Sequence, residues 1–209
     1  MLEAVQITRL HDEATARWHG PESWPDAALL QSFSAHPATE LIQVILGNHR
    51  ANFDLWHEED KAREPGASDA TIAEVKHNID KLNQRRNDLV EGMDRILLDA
   101  AGEQNPDAPL HSETPGLILD RLSILALKIF HTEEEAHRGS ATDAHRERNR
   151  VRLALLMEQR SDLAACLDTL WDDVLHRRRR FKLYRQMKMY NDPELNPAIY
   201  KHQSATSTG

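Results

Sequence analysis

Asn48, His49, Asn52 and Glu59 are spaced so that an α-helix brings them onto one face with Leu41, Ile45 and Trp56. Each residue of a helix advances about 100° around the axis, and the apolar residues mark the side that faces the core. A polar group placed there costs about 1–3 kcal/mol unless a partner meets it. The pattern therefore predicts partners opposite, and an interior that turns polar from Ile45 towards Arg63. Such an interior is either a binding site or a structural network. His57 stands beside Glu58, Glu59 and Asp60, an arrangement that suits a general base held by a carboxylate or a surface ion pair.

A second polar stripe follows on the next long segment. Asp80, Gln84, Asn87, Glu91 and Asp94 share one line of a helix. Glu91 and Asp94 lie one turn apart, a spacing that can share a hard cation such as magnesium or manganese, with Glu59 and Asp60 completing an oxygen shell. The same stripe sits well away from the apolar face of its own helix, so a solvated surface is the competing reading. Of the twelve histidines, His77 and His137 follow Glu74 and Glu134 at the spacing of di-iron bundle ligands. Glu74 and His77 project away from the apolar face, against a buried iron pair. The chain has no serine nucleophile elbow, glycine-rich phosphate loop or paired-cysteine motif. Phosphate binding would rest on Arg86, Arg121, Lys128 or a basic segment near the C-terminus.

These residues need helices to position them, and the pattern supplies several. Breakers at Gly20-Pro21, Trp24-Pro25 and Pro37 make residues 1–37 an irregular arm with room for one short helix in its first 18 residues. A helix is expected over 39–63, ending before Pro65-Gly66. Ser68-Asp69 starts another that reaches 101, with Ile72, Val75, Ile79, Leu82, Leu89, Met93 and Ile96 at three-four spacing. Thr114-Pro115 reads as N-cap and first residue of a helix to 138. Its apolar residues fall on all sides, as befits a central helix. A further helix spans 142–175, and the basic segment is expected to continue as helix to about 190. The expected fold is an all-α single-domain bundle of four to five main helices over 38–190, with a C-terminal tail over 191–209.

Composition narrows the classes. A chain of 209 residues with 40% hydrophobic and 29% charged residues supports one domain with a substantial core. No apolar run reaches the roughly 18 residues of a membrane span, and the N-terminal stretch lacks a signal-peptide core, so a cytoplasmic location is expected. The lone Cys166 is expected in the core. The net charge of −8 conceals a basic stretch: Arg177, Arg178, Arg179, Arg180, Lys182, Arg185 and Lys188, with no acid among them. Such a stretch suits phosphates, a membrane surface or nucleic acid, or the protein's own acidic surface. The overall negative charge disfavours nucleic acid.

The polar residues also carry a resemblance. Asn52-Phe53-x-Leu55-Trp56-His57-x-Glu59-Asp60-x-Ala62-Arg63 and Ile79-Asp80-x-Leu82-Asn83-Gln84-x-Arg86-Asn87-Asp88 are two of its blocks. Glu113-Thr114-Pro115-Gly116, Asp120-Arg121-Leu122-Ser123-Ile124, Lys128-Ile129 and Tyr184-Arg185-Gln186-x-Lys188-Met189-Tyr190-Asn191-Asp192-Pro193 complete it. Over residues 40–200 the chain resembles a bacterial family known as domain of unknown function 4254. The resemblance implies a compact helical fold, a bacterial origin and a link to glycosyltransferases and surface-polysaccharide metabolism. A fainter similarity is to all-α nucleotide pyrophosphatases. Glu91-x-x-Asp94 has the form of their second acidic motif, but Ala62 stands where their first needs a glutamate.

The leading expectation is a metal-dependent enzyme acting on a phosphorylated or nucleotide-linked metabolite, such as a nucleotide sugar. Glu59, Asp60, Glu91 and Asp94 would hold magnesium or manganese. Arg86, Arg121 and Lys128 would neutralise phosphate, Asn52, Asn83 and Asn87 would orient the ligand, and His57, Glu59 and Asp120 would serve catalysis. The rival expectation is a non-catalytic partner of a glycosyltransferase-pathway protein, with a polar interior that only fixes helix register.

Overall fold

The computed structural model describes residues 3–20, 39–185 and 194–197. Those residues form five α-helices: α1 (Ala4–His19), α2 (Thr39–Lys61), α3 (Asp69–Ala101), α4 (Pro115–His137) and α5 (Asp143–Leu175). The fold is all-α and single-domain. Among the described residues the one β-type pairing is an isolated bridge between Leu110 and Arg180. No described helix is long and apolar enough to cross a membrane.

Helix starts follow local chemistry. Ser68, Thr114 and Thr142 each accept a hydrogen bond from the backbone N–H three residues on, meeting one of the unpaired amides of a first turn. Glu3 and Gln6 form a reciprocal capping box at α1. This is the short helix that the N-terminal segment allowed, and Ile7, Leu10 and Ala14 place it in the core. The remainder of the expected arm, residues 21–37, lies outside the described residues.

Helix α4 is central in a literal sense, because it packs against each of the other four. It pairs most extensively with α5, while α2 pairs with α3. Leu41, Ile42, Ile45, Met93, Leu97, Ile118 and Leu122 fill the space between α2, α3 and α4. Leu163, Leu167, Leu170, Trp171 and Val174 seal the α5 side.

Two expectations fail here. Over its described residues, 176–185, the basic segment does not continue as helix, and the rest of the expected helix, residues 186–190, lies outside the described residues. The helix stops at Leu175, and Arg177 adopts a left-handed φ of 58°. The chain then runs extended along the α3–α4 loop: Arg180 N–H donates to the Pro109 carbonyl at 3.2 Å, and His111 N–H to the Arg180 carbonyl at 2.8 Å. Fully buried Phe181 anchors it, exchanging backbone hydrogen bonds with the Gln104 amide at 2.9 and 3.0 Å. Burying a phenylalanine ring contributes about 1.5–3 kcal/mol, and the extended path is the one that places Phe181 in the core. Three of the arginines pair with the protein's own acids, Arg177 with Glu103, Arg178 with Asp172 and Asp173, and Arg179 with Asp173, while Arg180 Nε donates to the Ala108 carbonyl at 2.9 Å. The second failure is Cys166, which is exposed. It sits at the edge of the stripe defined by Leu163, Leu167 and Leu170, so α5 turns it outward.

Candidate functional site

Asn48, His49 and Asn52 of α2 are buried, as their helical spacing requires. Their partners come from α4. Asp120 is 4% exposed and accepts from Asn48 Nδ2 at 3.1 Å, Asn52 Nδ2 at 3.0 Å and Arg86 Nε at 2.7 Å. Arg86 Nη2 donates to the second Asp120 oxygen, closing a two-pronged ion pair. The paired carboxylate raises the Arg86 pKa and keeps the guanidinium charged. Arg86 Nη1 keeps its donors for whatever enters from solvent.

The network continues inward. Asn52 Nδ2 reaches Ser123 Oγ at 3.0 Å, and Ser123 Oγ lies 2.8 Å from His49 Nδ1. On its other side His49 Nε2 meets Thr15 Oγ1 at 2.9 Å and the His11 carbonyl at 3.0 Å. Thr15 spends its own proton on that carbonyl, so His49 Nε2–H donates and Nδ1 accepts the Ser123 proton. Burial drives the His49 pKa down to about 3, which fixes this neutral form. The result is a continuous chain from α1 through α2 and α4 to Arg86 on α3. Ser123 and His49 are wholly enclosed, which suits orientation and not attack on a substrate.

Arg86 opens onto a cleft of about 460 Å³ between α2, α3 and α4. Asn52, Trp56, Glu59, Asp60, Arg63, Asn83 and Arg86 line it, over an apolar floor of Leu55, Ile124 and Leu127. Glu59 sits at the mouth, with its side chain 46% exposed and paired to Arg63 at 2.9 Å.

The structure divides the expected site residues. Asn52, Asn83, Arg86, Glu59 and Asp60 meet in this cleft. Asp120 stands behind Arg86 and holds it in place. Asn87 is half-buried and does not line the cleft. Arg121 and Lys128 face the other side of α4, where with Glu113, Asp162 and Cys166 they line a separate cavity of about 620 Å³ against α5. Arg121 is already paired to Glu113 at 2.7 Å.

Asp94 has a different employment from the one its spacing suggested. Its carboxylate accepts from Thr114 Oγ1 at 2.5 Å and Gly116 N–H at 2.7 Å, across the N-terminus of α4, where negative charge is favoured. Burial raises its pKa, and these two donors oppose the rise. A side chain at position 116 would place its Cβ 2.7 Å from Asp94 Oδ1 and 2.8 Å from the Val90 carbonyl. That contact explains the glycine after Thr114-Pro115. Glu91 stays on α3 and does not line the cleft.

His57 lies on the neighbouring face of α2 and directs Nδ1 to the Phe53 carbonyl at 2.8 Å instead of to a carboxylate. It belongs to an aromatic cluster with His19, His131, Phe53, Phe130 and Trp56. The expectations missed His19 and His131. Nothing in the sequence joins them, because they sit on three different helices with His57 and share no spacing.

Neither a curated protein nor a solved structure matches this chain. A family model described as "Protein of unknown function (DUF4254)" matches residues 42–183, which contain the cleft, Asp120 and the helices that carry them. With more than half of its length matched, the chain belongs to the DUF4254 family.

Proposed function

We propose that the protein binds a phosphorylated or nucleotide-linked metabolite, such as a nucleotide sugar, in the α2–α3–α4 cleft and acts on it with a divalent metal. The observation that supports this reading is the composition of the cleft wall. Two guanidinium groups (Arg63 and Arg86), two amides (Asn52 and Asn83), two carboxylates (Glu59 and Asp60) and the Trp56 ring line one opening. Arg86 is pre-oriented by Asp120, so little side-chain freedom is lost when an anion meets Nη1. Trp56 offers an apolar surface for a base or sugar ring. Magnesium or manganese is held by one or two carboxylates together with substrate phosphate oxygens, a role that falls to Glu59 and Asp60. Of the four carboxylates expected to bind metal, Asp94 is committed to the α4 N-terminus, and Glu91 stands apart with it.

A thermal-shift titration tests the reading. Inorganic phosphate, ADP and UDP-glucose are added with and without magnesium or manganese. A metal-dependent rise in Tm is expected for wild type, and its loss in Asn83→Ala and Glu59→Gln, which line the cleft without holding the core. The absence of any shift across these ligands overturns the reading.

One observation favours the second reading, a non-catalytic partner of a glycosyltransferase-pathway protein. Val151 and Leu155, one turn apart on α5, are each more than half exposed, an apolar pair of the kind that a partner can cover. Under that reading the cleft is empty of function, and Val151→Glu with Leu155→Glu abolishes capture of the partner while leaving Tm unchanged.

A further inference from the structure

His19 at the end of α1, His57 of α2 and His131 of α4 converge beside the aromatic cluster. One ring nitrogen of each lies within 4.8 Å of those of the other two, and among the described residues no other His, Cys, Asp and Glu side chains gather in this way. Hydrogen bonds identify the nitrogens. His19 directs Nδ1–H at the Thr15 carbonyl at 2.8 Å, His57 at the Phe53 carbonyl at 2.8 Å, and His131 at the Glu134 carboxylate at 2.9 Å. Each Nδ1 is therefore a donor, and each Nε2 carries the lone pair. Nε2 of His19 and of His131 are buried and take no hydrogen-bond partner. A buried polar atom left so costs about 1–3 kcal/mol, and two of them point into the same space.

Ring packing sets the planes. His19 stacks on Phe130 with centroids 4.4 Å apart, His131 on Trp56 at 4.7 Å, and His57 leans on Phe53 at 4.3 Å. An aromatic seam needs no imidazoles for this, since phenyl rings would pack there without orphaned nitrogens.

We propose that His19, His57 and His131 form a three-histidine site for a divalent transition-metal ion of the zinc class, each ligating through Nε2. Imidazole nitrogen selects zinc and its neighbours over magnesium or calcium. Zinc–nitrogen bonds of about 2.0–2.1 Å in tetrahedral geometry set ligand nitrogens about 3.3 Å apart, so small rotations of the three rings close the site. The Nδ1–H bonds to two carbonyls and a carboxylate are the outer contacts that orient metal-binding histidines and strengthen them as donors. Three protein ligands leave the fourth position to water or a small anion. The site is separate from the cleft and does not depend on any ligand there: Trp56 lies between them, one part against His131 and another lining the cleft.

The test uses the full chain and metal alone. Zinc is titrated by calorimetry and cobalt by its visible d–d absorption, on wild type and on His19→Ala, His57→Ala and His131→Ala. One equivalent is expected, with a tetrahedral cobalt spectrum. Each triad variant should lose affinity by more than the roughly 10–100-fold expected of Glu134→Ala, which removes only an outer hydrogen bond. His77→Ala and His137→Ala, on exposed residues, should bind as wild type. X-ray absorption at the zinc edge of wild type needs no variant and should read three imidazoles. No stoichiometric binding, an oxygen-only shell, or tight binding unchanged in the triad variants overturns the proposal.

Discussion

Two polar clusters lie on α2 less than three turns apart, and they treat their hydrogen bonds oppositely. In the first, Asn48, His49 and Asn52 meet Asp120, Ser123, Thr15 and Arg86, and donors face acceptors from Thr15 to Arg86; the unmatched atoms there are the two ring nitrogens of His11, which stacks on His49 but lies outside that chain. In the second, His57 joins His19 and His131, and buried nitrogens are left without partners. A saturated network has no capacity for a ligand except at its outer end, where Arg86 meets the cleft. An unsaturated one carries a standing cost that binding can remove. The same helix thus contributes a structural device and a candidate ligand site, distinguished by how completely each polar atom is matched.

Asp120→Ala should give the largest effect. It strands the Arg86 charge and the Asn48 and Asn52 amides together, and removing one partner of a buried pair costs about 3–5 kcal/mol. Arg86 retains some solvent contact, which places the loss at about 3 kcal/mol in urea unfolding. A loss under about 0.5 kcal/mol would mean the first cluster is not a structural network, and the contrast with the second would collapse.

Acid should come next, through His49. Its folded pKa of about 3 lies below the ordinary histidine value of 6.5, so the unfolded state binds the extra proton. Stability from this group is complete above pH 6.5 and is lost as pH falls from there towards 3. At pH 5 the loss is about 2 kcal/mol, from about 1.36 kcal/mol per pH unit. His11, buried against His49 and likewise lowered chiefly by burial, adds in the same direction. Unfolding free energies at pH 7 and pH 5 check this, and His49→Gln should flatten the slope. An unchanged slope would show that His49 is not held neutral.

Gly116→Ala asks whether Asp94 belongs with the saturated kind. The added methyl meets Asp94 and the Val90 carbonyl at under 3 Å, and overpacking of this sort costs about 1–3 kcal/mol. A drop of about 1–2 kcal/mol in thermal or urea unfolding is expected. A neutral result would mean that Asp94 is free to turn elsewhere, and would return it to the list of metal ligands.

The difference between the two clusters also explains what the sequence disclosed. Polar residues inside an apolar stripe announce themselves on a single helix, which made Asn48, His49 and Asn52 legible, along with the helix boundaries set by Ser68, Thr114 and Thr142. Periodicity says which way a residue faces on its own helix and nothing of which neighbour it meets. Arg121 and Lys128 were grouped with Arg86 on residue type, yet the packing of α5 against α4 places them in another cavity. Asp94 looked like a ligand until the α4 N-terminus arrived beside it. The histidine triad draws one residue from each of three helices, so only the assembled bundle brings it together. The arginine run carries no breaker before Asn191 and is expected to stay helical, whereas the burial of Phe181 holds it in an extended path.

The smallest effect on stability should come from the second cluster, and that smallness is informative. His131→Phe keeps the stack on Trp56, which is nearly parallel at 11°, and removes a buried nitrogen that has no partner. It gives up only a hydrogen bond to Glu134, whose side chain is 56% exposed, an exchange worth little. In metal-free buffer the variant should unfold within about 0.5 kcal/mol of wild type. With zinc at 100 times its Kd, wild type alone should gain about 2.7 kcal/mol. A polar residue that costs nothing to lose without metal, and everything to lose with it, is held for binding. If His131→Phe destabilises the metal-free protein as strongly as Asp120→Ala does, both clusters are structural and the distinction drawn from their hydrogen bonds fails.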